Sequence, residues 1–344
     1  MQNQFYYYQQ QNNPTPLQQA YMQQQYFKNK RIKERNELIA TGLIIGATIV
    51  SSLVIQLVFG SLISLSKFSS LYRDSSLFQN AFNIIVVDLL SLLIPYFLMS
   101  LILKKRYSGD LIPREKVGKL TAFAWISLGM GCCVGANYIT AFVVALFKQF
   151  GYKLTQSELN DPSNIIECIA IVFSTAIAPA IFEEFAMRCC TLGALKKYGK
   201  GFAVVAVSIV FGLIHGNVIQ FVFAFILGLV LGYITIATDS VIPAMFIHGL
   251  NNGISVLNDI LKFACGSKVS DYVGPVLYIV WLCLAGWGLV YLAFVKKAFK
   301  KKPMKLREPY ALSFGAKLLC LLPGFFIPIL ILIAITTQTI VPIK

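Results

Sequence analysis

A chain of 344 residues that is 57% hydrophobic and only 13% charged, with a mean hydropathy of +0.69, has too little polar surface to cover a water-soluble globule. The same composition excludes a disulfide-stapled secreted fold and a disordered chain. A net charge of +15 raises nucleic acid as a partner, but no basic stretch is interleaved with stacking aromatics, so none is expected.

Residues 1–27 are rich in Gln, Asn and Tyr (QNQFYYYQQQNN, AYMQQQYF) and read as a low-complexity tail with nothing to pack a core. No secretory signal precedes the first apolar run, and the expected home is a bacterial plasma membrane. Nine apolar segments follow, most of them long enough to cross a bilayer. They lie at 38–65, 82–103, 120–147, from Ile165 into EEFAMRCCTLGALKK, from Phe202 to about Asn217, and at 219–237, 241–264, 274–295 and 318–337. The expected fold is all-α, a polytopic transmembrane bundle with about eight to nine membrane segments. It divides into a tail with a basic juxtamembrane stretch (1–37), N-terminal membrane helices (38–160), a core bearing the chemistry (161–265) and C-terminal helices (266–344).

With the N-terminus in the cytoplasm and alternating connections, 23 of the 30 basic residues fall inside. They include Lys28, Arg31 and Arg35, then Lys104, Lys105, Arg106, Arg114 and Lys116, then Lys196 and Lys197, and the run from Lys296 to Lys317. This is a positive-inside pattern and predicts N-in, C-out. The positive charge reads as topology and as attraction to anionic lipid headgroups. The eight cysteines contain no C-x-x-C pair and read as small membrane-helix residues. Small-xxx-small spacings at Gly42/Gly46, Gly131/Gly135, Gly228/Gly232 and Gly249/Gly253 predict close helix–helix approach.

An ionisable side chain in hydrocarbon costs at least about 2.5–3.5 kcal/mol near the helix centre. Glu167 and Asp259 fall near segment ends and read as interfacial. Asp88, within NIIVVDLLSLL, reads as a packing residue. Five others form a constellation: Glu183, Glu184 and Arg188 end the fourth segment, His215 ends the fifth, and His248 lies inside the seventh with Asn252 four residues on. Both histidines of the chain belong to it. At about 100° per residue Glu184 and Arg188 share a helix face and can neutralise each other. Glu183 points elsewhere, into an apolar surround of Ala176, Ala180 and Met187 that suits a general base. His248 and Asn252 are aimed at one point, as paired donors to a developing oxyanion would be.

H-E-x-x-H and G-x-S-x-G are both absent, which argues against a zincin-type or a common serine hydrolase. Glutamate- and histidine-based hydrolysis by water remains. The three blocks APAIFEEFAMRCCTLGALKKYG, IVFGLIHGN and VIPAMFIHGLNN resemble the EExxxR, FxxxH and HxxxN motifs of the CPBP family (CAAX proteases and bacteriocin-processing enzymes, also called Abi). The resemblance covers about residues 165–255. It implies an intramembrane endopeptidase acting on a membrane-associated protein or peptide. Glu183 would activate the water, His215 help hold it, His248 and Asn252 stabilise the oxyanion, and Glu184 and Arg188 shape the site. Met187 and Cys189 stand where members commonly have an aromatic residue and a glycine. No cofactor is firmly implied, although Glu183, His215 and His248 could form a three-ligand zinc site. The rival readings are a membrane scaffold or bacteriocin self-immunity protein that works by binding, and a transporter using the same polar residues.

Overall fold

The computed structural model describes residues 15–103, 117–156, 161–300 and 312–343. The first fourteen residues of the tail, the bases from Lys104 to Lys116 and those from Lys301 to Arg307 lie outside them. Nine principal helices follow one another: α1 (Pro16–Leu65), α2 (Ser76–Ile102), α3 (Lys119–Gln149), α4 (Ile165–Tyr198), α5 (Lys200–Leu213), α6 (Val218–Thr238), α7 (Ile242–Cys265), α8 (Ser267–Val290) and α9 (Phe314–Thr337). The fold is an all-α polytopic bundle in which seven helices are long and apolar enough to cross a membrane. Two of the nine expected segments stand apart. α5 has 14 residues, a length of about 21 Å. α7 has 24 residues but carries too many polar side chains to qualify.

α1 runs for 50 residues, about 75 Å, against a hydrocarbon thickness of about 30 Å. It starts at a capping box in which the Thr15 hydroxyl accepts from the Gln18 N–H at 3.3 Å and the Gln18 side chain accepts from the Thr15 N–H at 2.9 Å. Pro16 follows at the first helical position, where its missing donor costs nothing. The described part of the tail is therefore largely exposed, as its composition suggests, but it is helical and continuous with the first membrane segment.

α1 packs along α9, and glycine permits the contact. A Cβ on Gly46 would collide with the Gly324 carbonyl, and one on Gly324 with the Gly42 carbonyl. Gly228 and Gly232 of α6 meet Ser208 and Val204 of α5 in the same way, whereas Gly135 and Gly253 face open space. Gly46→Val should therefore separate α1 from α9 and destabilise the bundle by about 1–3 kcal/mol or more. A lowered thermal midpoint in detergent checks this, with Gly135→Val as the near-neutral control.

Lys317, at the start of α9, is almost wholly buried. Its ammonium donates to the Tyr198 carbonyl at the end of α4 and lies 3.7 Å from Glu34 of α1. The Tyr198 hydroxyl meets Thr41 of α1 at 3.2 Å. Lys317→Met should leave that carbonyl without its partner and cost about 1–3 kcal/mol, read as a fall in the same midpoint.

The C-terminal end is tied to the segment after α3 by a two-stranded antiparallel sheet that no sequence pattern announces. β1 (Tyr152–Leu154), after α3, pairs with β2 (Ile340–Pro342), after α9, with Lys153 opposite Val341. None of the eight cysteines forms a disulfide. Large apolar side chains such as Leu57, Phe142, Ile169, Ile279 and Leu319 are exposed around the bundle, the surface that lipid would cover.

Inside are two apolar clusters. One joins α1, α2, α5 and α9 to the second half of α4, and includes Ala186, Met187 and Phe211. The other joins α3, α6 and α7, and includes Ala244 and Ile247. The residues singled out by the sequence lie where these clusters meet.

Candidate active site

α4 is not a regular helix. Val172–Ile177 and Phe185–Leu192 form wide i→i+5 turns on either side of the regular stretch Ala178–Glu184. Such turns are frequent at functional sites. The Thr191 hydroxyl donates to the carbonyl of Ala186, five residues back, at 2.9 Å. Pro179 stands at the start of the regular stretch and has no N–H, so the Thr175 carbonyl loses its ordinary helical donor. Asn252 of α7 takes that role, donating from Nδ2 to Thr175 at 3.0 Å. A motif residue thus closes a gap that a proline of the neighbouring helix opens, and its second amide N–H is left for other use.

Glu184 and Arg188 form the expected i,i+4 pair, with Arg188 Nε 3.0 Å from Glu184 Oε2 and both side chains fully buried. The contact is an ion pair outside hydrogen-bonding angles, because neither atom has a hydrogen-bond partner among the described residues. The guanidinium carbon sits 4.7 Å from the centre of the Phe211 ring, a cation–π contact that a desolvated site strengthens. Arg188 Nη1 and Nη2 are likewise buried without hydrogen bonds among the described residues.

Glu184 has a second partner that helical spacing within α4 does not foretell. Its Oε1 lies 3.0 Å from His248 Nδ1. A carboxylate only accepts, so Nδ1 carries the proton and the other ring nitrogen faces away. That nitrogen, Nε2, lies 3.8 Å from Glu183 Oε2, too far for a direct hydrogen bond. Glu183 Oε2 has no hydrogen-bond partner among the described residues, although its side chain is only 16% exposed. The order across the site is therefore Arg188, Glu184, His248, Glu183.

His215 closes α5, where Gly216 at φ +66 reverses the chain with no steric cost. Its Nδ1 donates to the Phe211 carbonyl at 2.7 Å. The Phe211 ring stands edge-on to both imidazoles, 5.1 Å from His215 and 5.9 Å from His248. The structure thus brings Glu183, Glu184, Arg188 and His248 into one cluster, sets His215 across the Phe211 ring, and ties Asn252 to α4. Among the described residues no three His, Cys, Asp or Glu side chains come together as a metal set. His248 Nδ1 is held by Glu184 and His215 Nδ1 by the Phe211 carbonyl, which leaves Nε2 as the available nitrogen of each ring.

Two features escape the sequence. Phe211 is a node among Arg188, His215 and His248 rather than a spacer. Asp88, on a wide turn of α2 (Asn83–Leu93) that packs against Ala178–Glu184, is 4% exposed and within electrostatic range of Glu183. Glu167 and Asp259 have local partners, the first accepting from Ser163 N–H and hydroxyl at 2.8 and 2.9 Å, the second 3.7 Å from Lys262.

A bundle of membrane-crossing helices thus gathers carboxylates, imidazoles and an arginine inside it. Residues 165–254 match the family model described as Type II CAAX prenyl endopeptidase Rce1-like, and over that segment the chain is similar to the CAAX proteases. No curated protein and no solved structure matches the chain.

Proposed function

We propose that this protein is an intramembrane endopeptidase of glutamate type that hydrolyses a peptide bond of a membrane-associated protein or peptide. The observation that carries the reading is the pairing of Glu183 Oε2, buried and unbonded, with His248 Nε2 at 3.8 Å. Two such atoms can hold one water between them. Glu183 takes a proton from that water as the oxygen attacks the carbonyl carbon, and returns it to the leaving amine as the C–N bond breaks. His248 in its imidazolium form, steered by Glu184, donates from Nε2 to the oxyanion, and the second N–H of Asn252 is the other donor. His215 helps to hold the water from across Phe211. Arg188 balances the Glu184 charge and so keeps the imidazole in place.

The proposed setting is a cell membrane with the N-terminus in the cytoplasm, supported by the clustering of 23 of the 30 basic residues on that side. Substrate would enter from the cytoplasmic end of the bundle, where the same bases attract anionic headgroups. The test compares newly formed peptide termini in membranes carrying wild-type protein or Glu183→Gln at matched abundance. Termini that vanish with the variant support the peptidase and identify its substrate. Identical profiles beside a persisting cellular phenotype would favour a protein that works by binding.

A further inference from the structure

α7 differs from its neighbours in where its polar residues lie. His248, Asn252, Ser255, Asp259 and Lys262 recur at spacings of four, three, four and three, which places them on one helix face. The opposite face carries Ile242, Phe246 and Leu250, all exposed, and is the one suited to lipid. His248 and Asn252, bonded to Glu184 and to the Thr175 carbonyl, turn the polar stripe into the bundle, and α3, α8 and the wide turn Val172–Ile177 pack against α7. A face turned into a close-packed bundle is ordinarily buried. Here Ser255 is exposed, Asn252 and Asn258 are half-buried, and the side chains of Asp259 and Lys262 are 34% and 52% exposed. Side chains that face inward and yet remain accessible line a groove.

Polar contacts run along the stripe. Asn252 is fixed to the Thr175 carbonyl and accepts from Asn251 Nδ2 at 3.2 Å. The Asn258 amide lies 3.6 Å from where a Cβ on Gly274 of α8 would stand, an ordinary contact distance, so α8 runs beside Asn258. Asp259 and Lys262 pair at the far end, 3.7 Å apart.

We infer that this stripe lines an aqueous path that runs from the Lys262 end of α7 down to His248 and supplies water to Glu183. In hydrocarbon, polar side chains of this number are stable only when they are solvated or paired, and a hydrolase inside a bilayer needs a water supply. The inference deepens the peptidase reading and rests on it for its purpose. In the proposed orientation the path opens at the outer face, so water and substrate would reach the site from opposite ends.

Alkylation of cysteine proceeds through the thiolate and so requires water contact. The experiment places Ser255→Cys, Asn258→Cys or Leu250→Cys in full-length protein whose exposed Cys265 and Cys283 are replaced by serine. Each variant is treated in intact membranes with a water-soluble, membrane-impermeant maleimide. The path predicts that Ser255→Cys and Asn258→Cys react at least about tenfold faster than Leu250→Cys. Ser255→Cys and Asn258→Cys as slow as Leu250→Cys overturn it. Testing Ser255 on the stripe and Asn258 beside it guards against one variant failing to fold, which size-exclusion in detergent detects. Labelling needs no cleavage, so a dry stripe and an inactive protein are separate failures.

Discussion

Glu183→Gln is expected to lower cleavage by at least about 10²–10⁴-fold, the usual contribution of a positioned general base, while the fold stays close to wild type. The reason lies in the contacts. Glu183 Oε2 bonds to nothing among the described residues, so the amide removes no fold-holding hydrogen bond from that oxygen. What it removes is the ability to accept a proton from water. Purified protein in detergent should show a thermal midpoint within a few degrees of wild type and no formation of new termini. A variant that unfolds instead would mean that Glu183 is part of the bundle's framework and its chemistry secondary.

Glu184 should behave in the opposite way. Its carboxylate lies 3.0 Å from both Arg188 Nε and His248 Nδ1, with no exposure of its own. Glu184→Ala strands a fully buried guanidinium, and breaking a buried pair in this way costs about 3–5 kcal/mol. Replacing Arg188 as well removes the stranded charge, so Glu184→Gln/Arg188→Met should recover much of the stability lost by Glu184→Ala. Cleavage should not recover with it. Without the carboxylate the ring is no longer held in one orientation and its imidazolium form loses its counter-charge, as in a triad whose third member is removed. A double variant that regains both stability and cleavage would show that Glu184 serves only to neutralise Arg188. The readouts are thermal midpoints of the single and double variants and their terminal profiles.

Spacing alone made part of this site legible. Glu184 and Arg188 lie four apart on one helix, so their pairing follows from helical geometry, and the apolar runs announced the bundle because lipid tolerates little else. The parts that were not legible depend on how separate helices meet. The bond between His248 and Glu184 joins residues 64 apart in sequence, and it exists only because α7 crosses α4 at that level. Spacing aimed His248 and Asn252 at a common point; the structure gives one N–H of Asn252 to Thr175, an arrangement traceable to Pro179 but visible only with α7 in place. The tail illustrates a different limit. Gln has good helix propensity, and once Thr15 and Pro16 start the helix, continuity with a membrane segment sustains it without any core. β1 and β2 are three residues each, too short for a periodic signal.

The path along α7 bears on how the parts act together. The 4-3-4-3 spacing is present in the sequence, but only the packed bundle reveals that the stripe faces inward and stays accessible. If it carries water, the half-buried state of Glu183 is a functional compromise: dry enough to act as a base, wet enough to be supplied.

The most direct test of the central claim is oxygen incorporation during cleavage. Membranes carrying wild-type protein or Glu183→Gln at matched abundance are incubated in ¹⁸O-labelled water, and the new C-termini are analysed by mass spectrometry. Hydrolysis by water at Glu183 predicts heavy oxygen in the carboxylates of termini that wild type forms and Glu183→Gln does not. Labelled termini formed equally by both proteins would contradict it.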